Sequence, residues 1–362
     1  MDKVSFSTIL KDDHIFRLTD DTGMLQHSRF SVPDPAFGYT TDDNARALIM
    51  ALMLYERYHN RKYLGLVYKY SSFILNAQNK NGKFRNFMSY ERKWLEEEGS
   101  EDCFGRCIWA IGFALSSKYT PQGVKYGLLH ILNNAMPHIS SLNSPRAKAY
   151  SILGLTRLED KQAAVLVYEL ARSLCNQYEI YRDRDWKWFE NIVSYCNSIL
   201  PWALILAYKA AREKRFLDTA EESLDFIAGI TFRHGYFKPV GCKGWLLKGG
   251  KPAEFDEQAV EACETVLTYM DAYDVTGNRD YLQKAVTCHA WYEGVNSKGI
   301  SLVDKESGAC YDGLTEQGLN LNMGAESLIS YVISYLRISA VYATAMEYSK
   351  SDLATWKANK FL

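Results

Sequence analysis

The sequence lacks every short motif that would tie it to a metal or a phosphate. It has no HExxH and no CxxC, and Gly82, Gly235, Gly241 and Gly244 stand in no phosphate-binding pattern. Its eight cysteines (Cys103, Cys107, Cys175, Cys196, Cys242, Cys263, Cys288, Cys310) are scattered, which reads as buried free thiols rather than a disulfide framework. The seven histidines (His14, His27, His59, His130, His138, His234, His289) are equally dispersed, so neither a metal site nor a cofactor is expected. There is no Lys/Arg stripe, and 42 basic against 43 acidic residues leave a net charge of −1, which argues against a nucleic-acid partner. No stretch of ~18 apolar residues occurs, so no membrane span is expected. The opening MDKVSFSTILKDDHIF has no apolar leader core, and a cytoplasmic location follows as the expectation. Only eight prolines are present, and no Pro-rich or Ser/Gly-rich linker divides the 362 residues. One domain over 1–362 is therefore expected, with residues 1–36 as an N-terminal extension packing on it.

What is present is helix. Apolar periodicity near 3.6 predicts segments at Ala45–His59, Tyr63–Gln78, Cys103–Ser117, Gly123–Met136, Pro145–Arg157 and Lys161–Gln177. It continues through Tyr195–Lys214, Phe216–Thr231, Glu257–Val275, Arg279–Glu293 and Gly324–Tyr348. Strand signals are confined to short pieces such as Tyr236–Val240 and Ile300–Val303. Aromatics are plentiful at 14%, with 25 Tyr and 8 Trp, enough both to fill a large core and to line a polar pocket.

The helices repeat in architecture rather than in letters. Every second one opens on a polar cluster: Thr41-Asp42-Asp43-Asn44-Ala45-Arg46, Ser100-Glu101-Asp102, Ser144-Pro145-Arg146, Phe189-Glu190-Asn191 with Ser194-Tyr195-Cys196-Asn197, Phe255-Asp256-Glu257-Gln258, and Gly324-Ala325-Glu326-Ser327. The markers Asp43, Asp102, Arg146, Tyr195, Asp256 and Glu326 are 59, 44, 49, 61 and 70 residues apart, room for two helices each. The helices between begin without such clusters. If the odd members form an inner barrel and the even ones an outer ring, all inner N-termini meet at one rim. Free N–H groups and the helix dipole favour carboxylates there. Capping alone accounts for a single Ser, Asp or Asn at such a place. Acid pairs with an Arg at same-face spacing, as in Asp43/Arg46 and Asp102/Arg106, exceed what capping requires.

These stretches resemble a bacterial (α/α)6-toroid, six-hairpin glycosidase-like family whose members are associated with glycosyltransferases or named as glycoside hydrolases. Tyr39-Thr40-Thr41-Asp42-Asp43-Asn44-Ala45-Arg46, Glu101-Asp102-Cys103-Phe104-Gly105-Arg106, Trp188-Phe189-Glu190, Gly244-Trp245, Phe255-Asp256-Glu257-Gln258, Asp312-Gly313-Leu314 and Asn320 to Ser327 carry the similarity, over roughly residues 37–335. The resemblance implies an all-α toroid and carbohydrate processing. Where that family reads Thr-Tyr-Asp-Asn, this chain reads Ser194-Tyr195-Cys196-Asn197, so an acidic position is a thiol here. No sugar-nucleotide-binding half accompanies the helices.

Glycoside hydrolysis needs two carboxyl groups flanking an oxocarbenium-like transition state. Asp43, Asp102 and Asp256 are the expected catalytic acids, on different inner helices. Asp42, Arg46, Glu101, Arg106, Glu190, Asp312 and Glu326 are expected to bind substrate, with caps and ion pairs as the alternative role. Tyr39, Trp188 and Trp245, with Trp94 and Trp186, are the expected stacking platforms for sugar rings. No histidine opens an inner helix, which argues against the toroid sugar epimerases, whose chemistry uses rim histidines. Asp42-Asp43 lacks the third acid of the Mg²⁺-binding DDxxD of terpenoid synthases. The expected activity is inverting hydrolysis of a bacterial oligosaccharide or polysaccharide, next to a separate glycosyltransferase or phosphorylase. The alternative is a non-catalytic, glycan-binding toroid.

Overall fold

The computed structural model describes residues 10–340. A short helix α1 (Asp13–Leu18) is followed by α2 (Thr41–Tyr58), α3 (Arg61–Ala77), α4 (Glu101–Ser116), α5 (Gln122–Ile139), α6 (Pro145–Leu155) and α7 (Lys161–Tyr181). Then come α8 (Ile199–Ala211), α9 (Lys214–Thr231), α10 (Ala259–Thr276), α11 (Arg279–Ala290) and α12, which starts at residue 325 and is described to residue 340. The tail of the expected Gly324–Tyr348 segment lies outside the described residues. Among the described residues, no helix is long and apolar enough to cross a membrane.

Burial separates the helices into two rings. In α2, α4, α6, α8 and α10 most positions are buried, in uninterrupted runs, because those stretches are packed on all sides. In α3 only Tyr63, Leu66, Val67, Tyr70, Ser71, Phe73, Ile74 and Ala77 are buried, the single stripe of a helix with one face to solvent. The outer α5, α7, α9 and α11 follow that pattern. Each inner helix packs on the next, α2 on α4, α4 on α6, α6 on α8 and α8 on α10. Helix α12 closes the circuit, holding α10 through Arg337–Asp271 at 2.9 Å and α2 through Arg46–Glu326 at 2.9 Å. The α4–α6 contact is close enough to exclude side chains. A Cβ on Gly112 would lie 2.1 Å from Gly154 O, and one on Gly154 would lie 2.2 Å from Ile108 O. This is the (α/α)6 toroid expected from the alternation of polar helix starts.

Short antiparallel strands decorate the rim where the inner helices begin. β1 (Ser28–Arg29) pairs with β2 (Val32–Pro33), and β3 (Tyr39–Thr40) with β4 (Phe87–Met88). β5 (Ile192–Val193) pairs with β6 (Leu246–Leu247), and β7 (Glu257–Gln258) with β8 (Gly313–Thr315), which also pairs with β9 (Gly318–Asn320). The expected strands are elsewhere. Residues 236–240 form none, and Ile300–Val303 contributes only an isolated bridge from Val303 to Cys310. The start expected at Glu257 is also corrected: Glu257 and Gln258 are strand, and the helix begins at Ala259.

Candidate active site

The caps of α2, α4 and α6 are hydroxyls, which frees the neighbouring acids for other work. Thr40 accepts the Asp43 N–H at 3.1 Å, Ser100 the Cys103 N–H at 3.1 Å, and Ser144 the Ala147 N–H at 3.3 Å. Asp42 and Asp43 follow the first cap and Glu101 and Asp102 the second, on parallel helices whose first turns meet. Side chains then bridge from helix to helix. Arg106 of α4 reaches Asp42 of α2 at 3.2 Å, and Arg46 of α2 holds both Asp43 at 2.8 Å and Glu326 of α12 at 2.9 Å.

The rim is open on one side only. A cavity of about 320 Å³ lies at the starts of α2, α10 and α12, at the small end of the range for ligand sites. Asp42, Asp43, Arg46, Asp256, Asp312 and Glu326 line it. The other half of the rim, at α4, α6 and α8, is filled by its own side chains. Arg146 binds Glu190 at 2.8 Å, Ser194 Oγ at 2.8 Å and Tyr195 O at 2.6 Å, and its guanidinium lies 4.3 Å from the Tyr195 ring centre. The Tyr195 hydroxyl donates to Asp102 at 2.7 Å, and Ser144 Oγ donates to the other oxygen of the same carboxylate at 2.6 Å.

Nine expected site residues therefore lie outside the cavity lining, each for a visible reason. Asp102 and Glu190 are consumed by the Tyr195–Arg146 network. Glu101 accepts the Asn143 and Ser144 N–H groups at 2.8 and 2.6 Å, serving the start of α6. Arg106 is buried behind Asp42, 4.9 Å over the Tyr150 ring. Tyr39 is buried with its hydroxyl on Asp20, and Trp188 is a fully buried core residue against Phe189 and Phe226. Trp245 is half-buried beside Tyr195, on the closed side. Trp186 gives its ring N–H to Glu190 O, and Trp94 packs on Phe73 beneath Arg85. The aromatic on the cavity wall is Phe87, from β4.

The cavity also uses Gln26, His27 and Asn86, which no local signal marked, and Glu257, Gln258, Asn320 and Ser327, which lie in marked stretches without being expected site residues. Gln26 and His27 arrive from the N-terminal segment, which is stitched to α12 by Ala325 N–H to Gln26 O at 3.0 Å and Ser28 N–H to Asn322 Oδ1 at 2.9 Å. Beneath the floor, Glu261 and Glu264 of α10 are buried carboxylates that sequence reasoning missed because they read as polar interruptions of a buried helix. Glu261 accepts from Asn197 Nδ2 at 3.0 Å and from the Cys196 N–H, while Glu264 accepts the Tyr150 hydroxyl.

Electrostatics sort the carboxyl groups. Burial pushes Asp43 up in spite of Arg46. Burial also acts on Glu326, but the Arg46 and Arg106 guanidiniums outweigh it and hold that carboxyl below the usual range. Glu257 is pushed up by burial against the bonds from Ser297 Oγ and Trp291 Nε1. Burial, with Glu264 next, lifts Glu261 to about 7. Among the described residues, no cluster of three or more His, Cys, Asp or Glu side chains is arranged to hold a metal ion.

No family model and no curated protein matches the sequence. Solved structures do. A sugar epimerase from a ruminal bacterium is 15% identical with a TM-score of 0.70, covering 91% of this chain and 96% of its own. Cellobiose 2-epimerase from Spirochaeta thermophila is 13% identical with a TM-score of 0.69, covering 92% and 95%. An α-1,6-mannanase from a Salegentibacter species is 13% identical with a TM-score of 0.62, covering 91% and 97%. The chain thus shares, over nearly its whole length, the (α/α)6 toroid of carbohydrate-processing enzymes.

Proposed function

We propose that the chain hydrolyses a glycosidic bond of an oligosaccharide or polysaccharide with two carboxyl groups, Asp256 and Glu326. The observation that carries this is accessibility. Six carboxyl groups line the cavity, yet four are committed to the protein. Asp43 is only 5% exposed and tied to Arg46, and Asp42 is held by Arg106 and Asn86. Asp312 takes bonds from Ser327, Gly324 and Asn322, and Glu257 is fully buried. Glu326 keeps 43% of its side chain open, and Asp256 keeps 24% with one exposed lysine, Lys243, at 3.3 Å.

Charge sets the first role: Glu326, held ionised by two guanidiniums, takes a proton from the attacking water as the water oxygen bonds to the anomeric carbon. Asp256, the other carboxyl left open to the cavity, takes the remaining role, giving a proton to the leaving glycosidic oxygen as the C–O bond breaks. The two sit on separate elements, the approach to β7 and the first turn of α12. Because water attacks the anomeric carbon directly in this scheme, inversion is the expected outcome. A separate glycosyltransferase or phosphorylase would make or consume the glycan.

A second assignment has its own support. The Salegentibacter mannanase is also known as an inactive variant in which two consecutive aspartates are asparagine. Of the consecutive aspartate pairs in this chain, Asp12-Asp13, Asp20-Asp21 and Asp42-Asp43, only the last lines the cavity. Four variants separate the two assignments, and a fifth, at Asp102, serves as a control. Asp256→Asn and Glu326→Gln should each lower turnover by ~10²–10⁴-fold with little change in melting. Asp42→Asn and Asp43→Asn should mainly lower stability, and Asp102→Asn should leave the rate nearly untouched. The assay is anomer-resolved NMR of products from α-1,6-mannotriose, cellobiose and a wider glycan panel. Isomerised sugar without cleavage would replace hydrolysis by isomerase chemistry, and binding without any turnover would leave a glycan-binding toroid.

A further inference from the structure

His27 meets the cavity with a protonation pattern that its neighbours dictate. Asn322 stands between it and Asp312. The Asn322 Oδ1 accepts the Ser28 backbone N–H at 2.9 Å, while its Nδ2 donates to Asp312 Oδ2 and lies 2.7 Å from His27 Nδ1. Turning the amide over would set its oxygen against the Asp312 carboxylate and its NH₂ against the Ser28 N–H, so both ends fix its orientation. Asp312 is itself anchored, by the Gly324 N–H at 2.9 Å and Ser327 Oγ at 2.6 Å. An amide nitrogen only donates, so His27 Nδ1 must accept and carries no proton. The ring proton is then on Nε2. Phe37 packs edge-on against the ring, with centroids 4.7 Å apart and planes at 79°, which limits rotation of the imidazole. The Nε2 edge makes no hydrogen bond to any described residue, and the ring lines the cavity on the side of Asp312 and Glu326.

We propose that His27 is a specificity-determining residue, an N–H donor fixed by the Asp312–Asn322 chain and aimed at a hydroxyl oxygen of the bound sugar. The proposal rests on the carbohydrate reading of the cavity. It also keeps His27 Nε2 from serving as an isomerase base, because a nitrogen that already holds its proton cannot take one from a sugar carbon. A ring held this way recognises an acceptor. A sugar that lacks the hydroxyl leaves the N–H unpaired and should bind roughly 10–100-fold more weakly.

The tautomer is tested without any ligand. Two-bond ¹H–¹⁵N NMR of the full chain labelled at histidine reports each ring nitrogen, and the His27 signal is identified by its loss in His27→Gln. Nδ1 should fall in the pyridine-type region and Nε2 in the pyrrole-type region. Asn322→Asp should reverse the pattern, since a carboxylate accepts from Nδ1–H. A pyrrole-type Nδ1 in the unaltered protein overturns the proposal, whatever the variant does. For the ligand half, Cys242 is a built-in reporter, because it lines the same cavity and the other seven cysteines are buried. D-mannose, cellobiose and α-1,6-mannotriose, sugars of the structural neighbours, are titrated while N-ethylmaleimide alkylates Cys242. A protecting sugar should move the His27 Nε2–H signal, lose about 10–100-fold in affinity in His27→Ala, and regain part of it in His27→Gln, which keeps a donor. Protection with an unmoved His27 signal overturns the donor role and leaves the carbohydrate reading standing. No protection by any of the three sugars defeats both.

Discussion

Replacing Arg46 by methionine should cost about 3–4 kcal/mol at neutral pH, and the cost should shrink on acidification. Arg46 is 6% exposed and serves two carboxylates, Asp43 at 2.8 Å and Glu326 at 2.9 Å. Stranding a buried partner typically costs about 3–5 kcal/mol, and that applies to Asp43, which is 5% exposed. Glu326 is 43% exposed, so its arm is screened and adds at most about 1 kcal/mol. A ceiling also exists, because Asp43 can escape by taking a proton. From an ordinary pKa near 3.9, that costs about 4 kcal/mol at pH 7. With an unfolding entropy of about 2.1 cal/mol/K per residue over 362 residues, a loss of about 3–4 kcal/mol lowers the melting temperature by about 4–5 °C. The pH dependence follows from the two shifts. Asp43 is raised in the folded state, so the stability its charge costs is recovered as pH falls through its folded value. Without Arg46 that value rises further, and the variant recovers more. Glu326 is depressed, so its contribution is present above the ordinary glutamate range and lost as pH falls through its folded value. The variant has little of that to lose. Within pH 4.5–7.5 the Asp43 effect narrows the gap between the two proteins as pH falls, and the Glu326 effect adds to it only below that window. Calorimetric melting of Arg46→Met, Arg46→Lys and the parent across pH 4.5–7.5 measures it, with Lys expected to recover part of the loss because it keeps the charge but not the two-armed geometry. A gap that stays constant over that range would show that Arg46 acts by packing and refute the electrostatic account.

Three further outcomes are expected. Glu261 titrates near 7 in the fold against an ordinary 4.5, so the folded state binds more protons and stability should fall by about 3 kcal/mol as pH rises from 4.5 through 7, a slope that denaturant titration should find missing in Glu261→Gln. Gly154→Ala should lower stability by about 1–3 kcal/mol without touching turnover, since its Cβ would meet the Ile108 carbonyl at 2.2 Å and the helices must separate; an unchanged melting curve would contradict the close α4–α6 contact. Cys196→Asp should leave turnover within a few-fold: the thiol is 2% exposed, lies 3.5 Å from Arg106 behind the cavity and is not part of its wall, so a rate gain of 10²-fold or more would show that the family's acid acts where no substrate contact is visible.

The ring was legible because its two helix classes bury different fractions of their surface. A helix packed on all sides, such as α8 with Ile199 to Ile205 buried without interruption, cannot show the one-sided stripe of α9, where Phe216, Ala220, Leu224 and Ile227 recur at helical spacing. The polar starts of the inner helices were legible for the same reason, since only a rim tolerates Asp-Asp or Glu-Asp next to a fully apolar helix. The extent of β7 was hidden. Glu257 and Gln258 continue the polarity pattern of α10, and only pairing with Leu314 and Gly313, more than fifty positions later, makes them strand.

Which half of the rim opens could not be read from spacing, because all six inner helices begin with side chains of the same kinds. The difference lies in where the arginines turn. Arg46 points along the cavity floor and divides itself between two carboxylates, one of which still faces solvent. Arg146 turns into the gap between α6 and α8, satisfies Glu190, Ser194 and the Tyr195 carbonyl, and lays its guanidinium on the Tyr195 ring. With that, Tyr195 is placed to reach Asp102, and a surface that has the residues for a site becomes a sealed one. A carboxylate is available for chemistry only where the protein leaves one of its oxygens unspent. On this rim that condition favours the proposed pair Asp256 and Glu326 over Asp102, although all three mark the same sequence repeat.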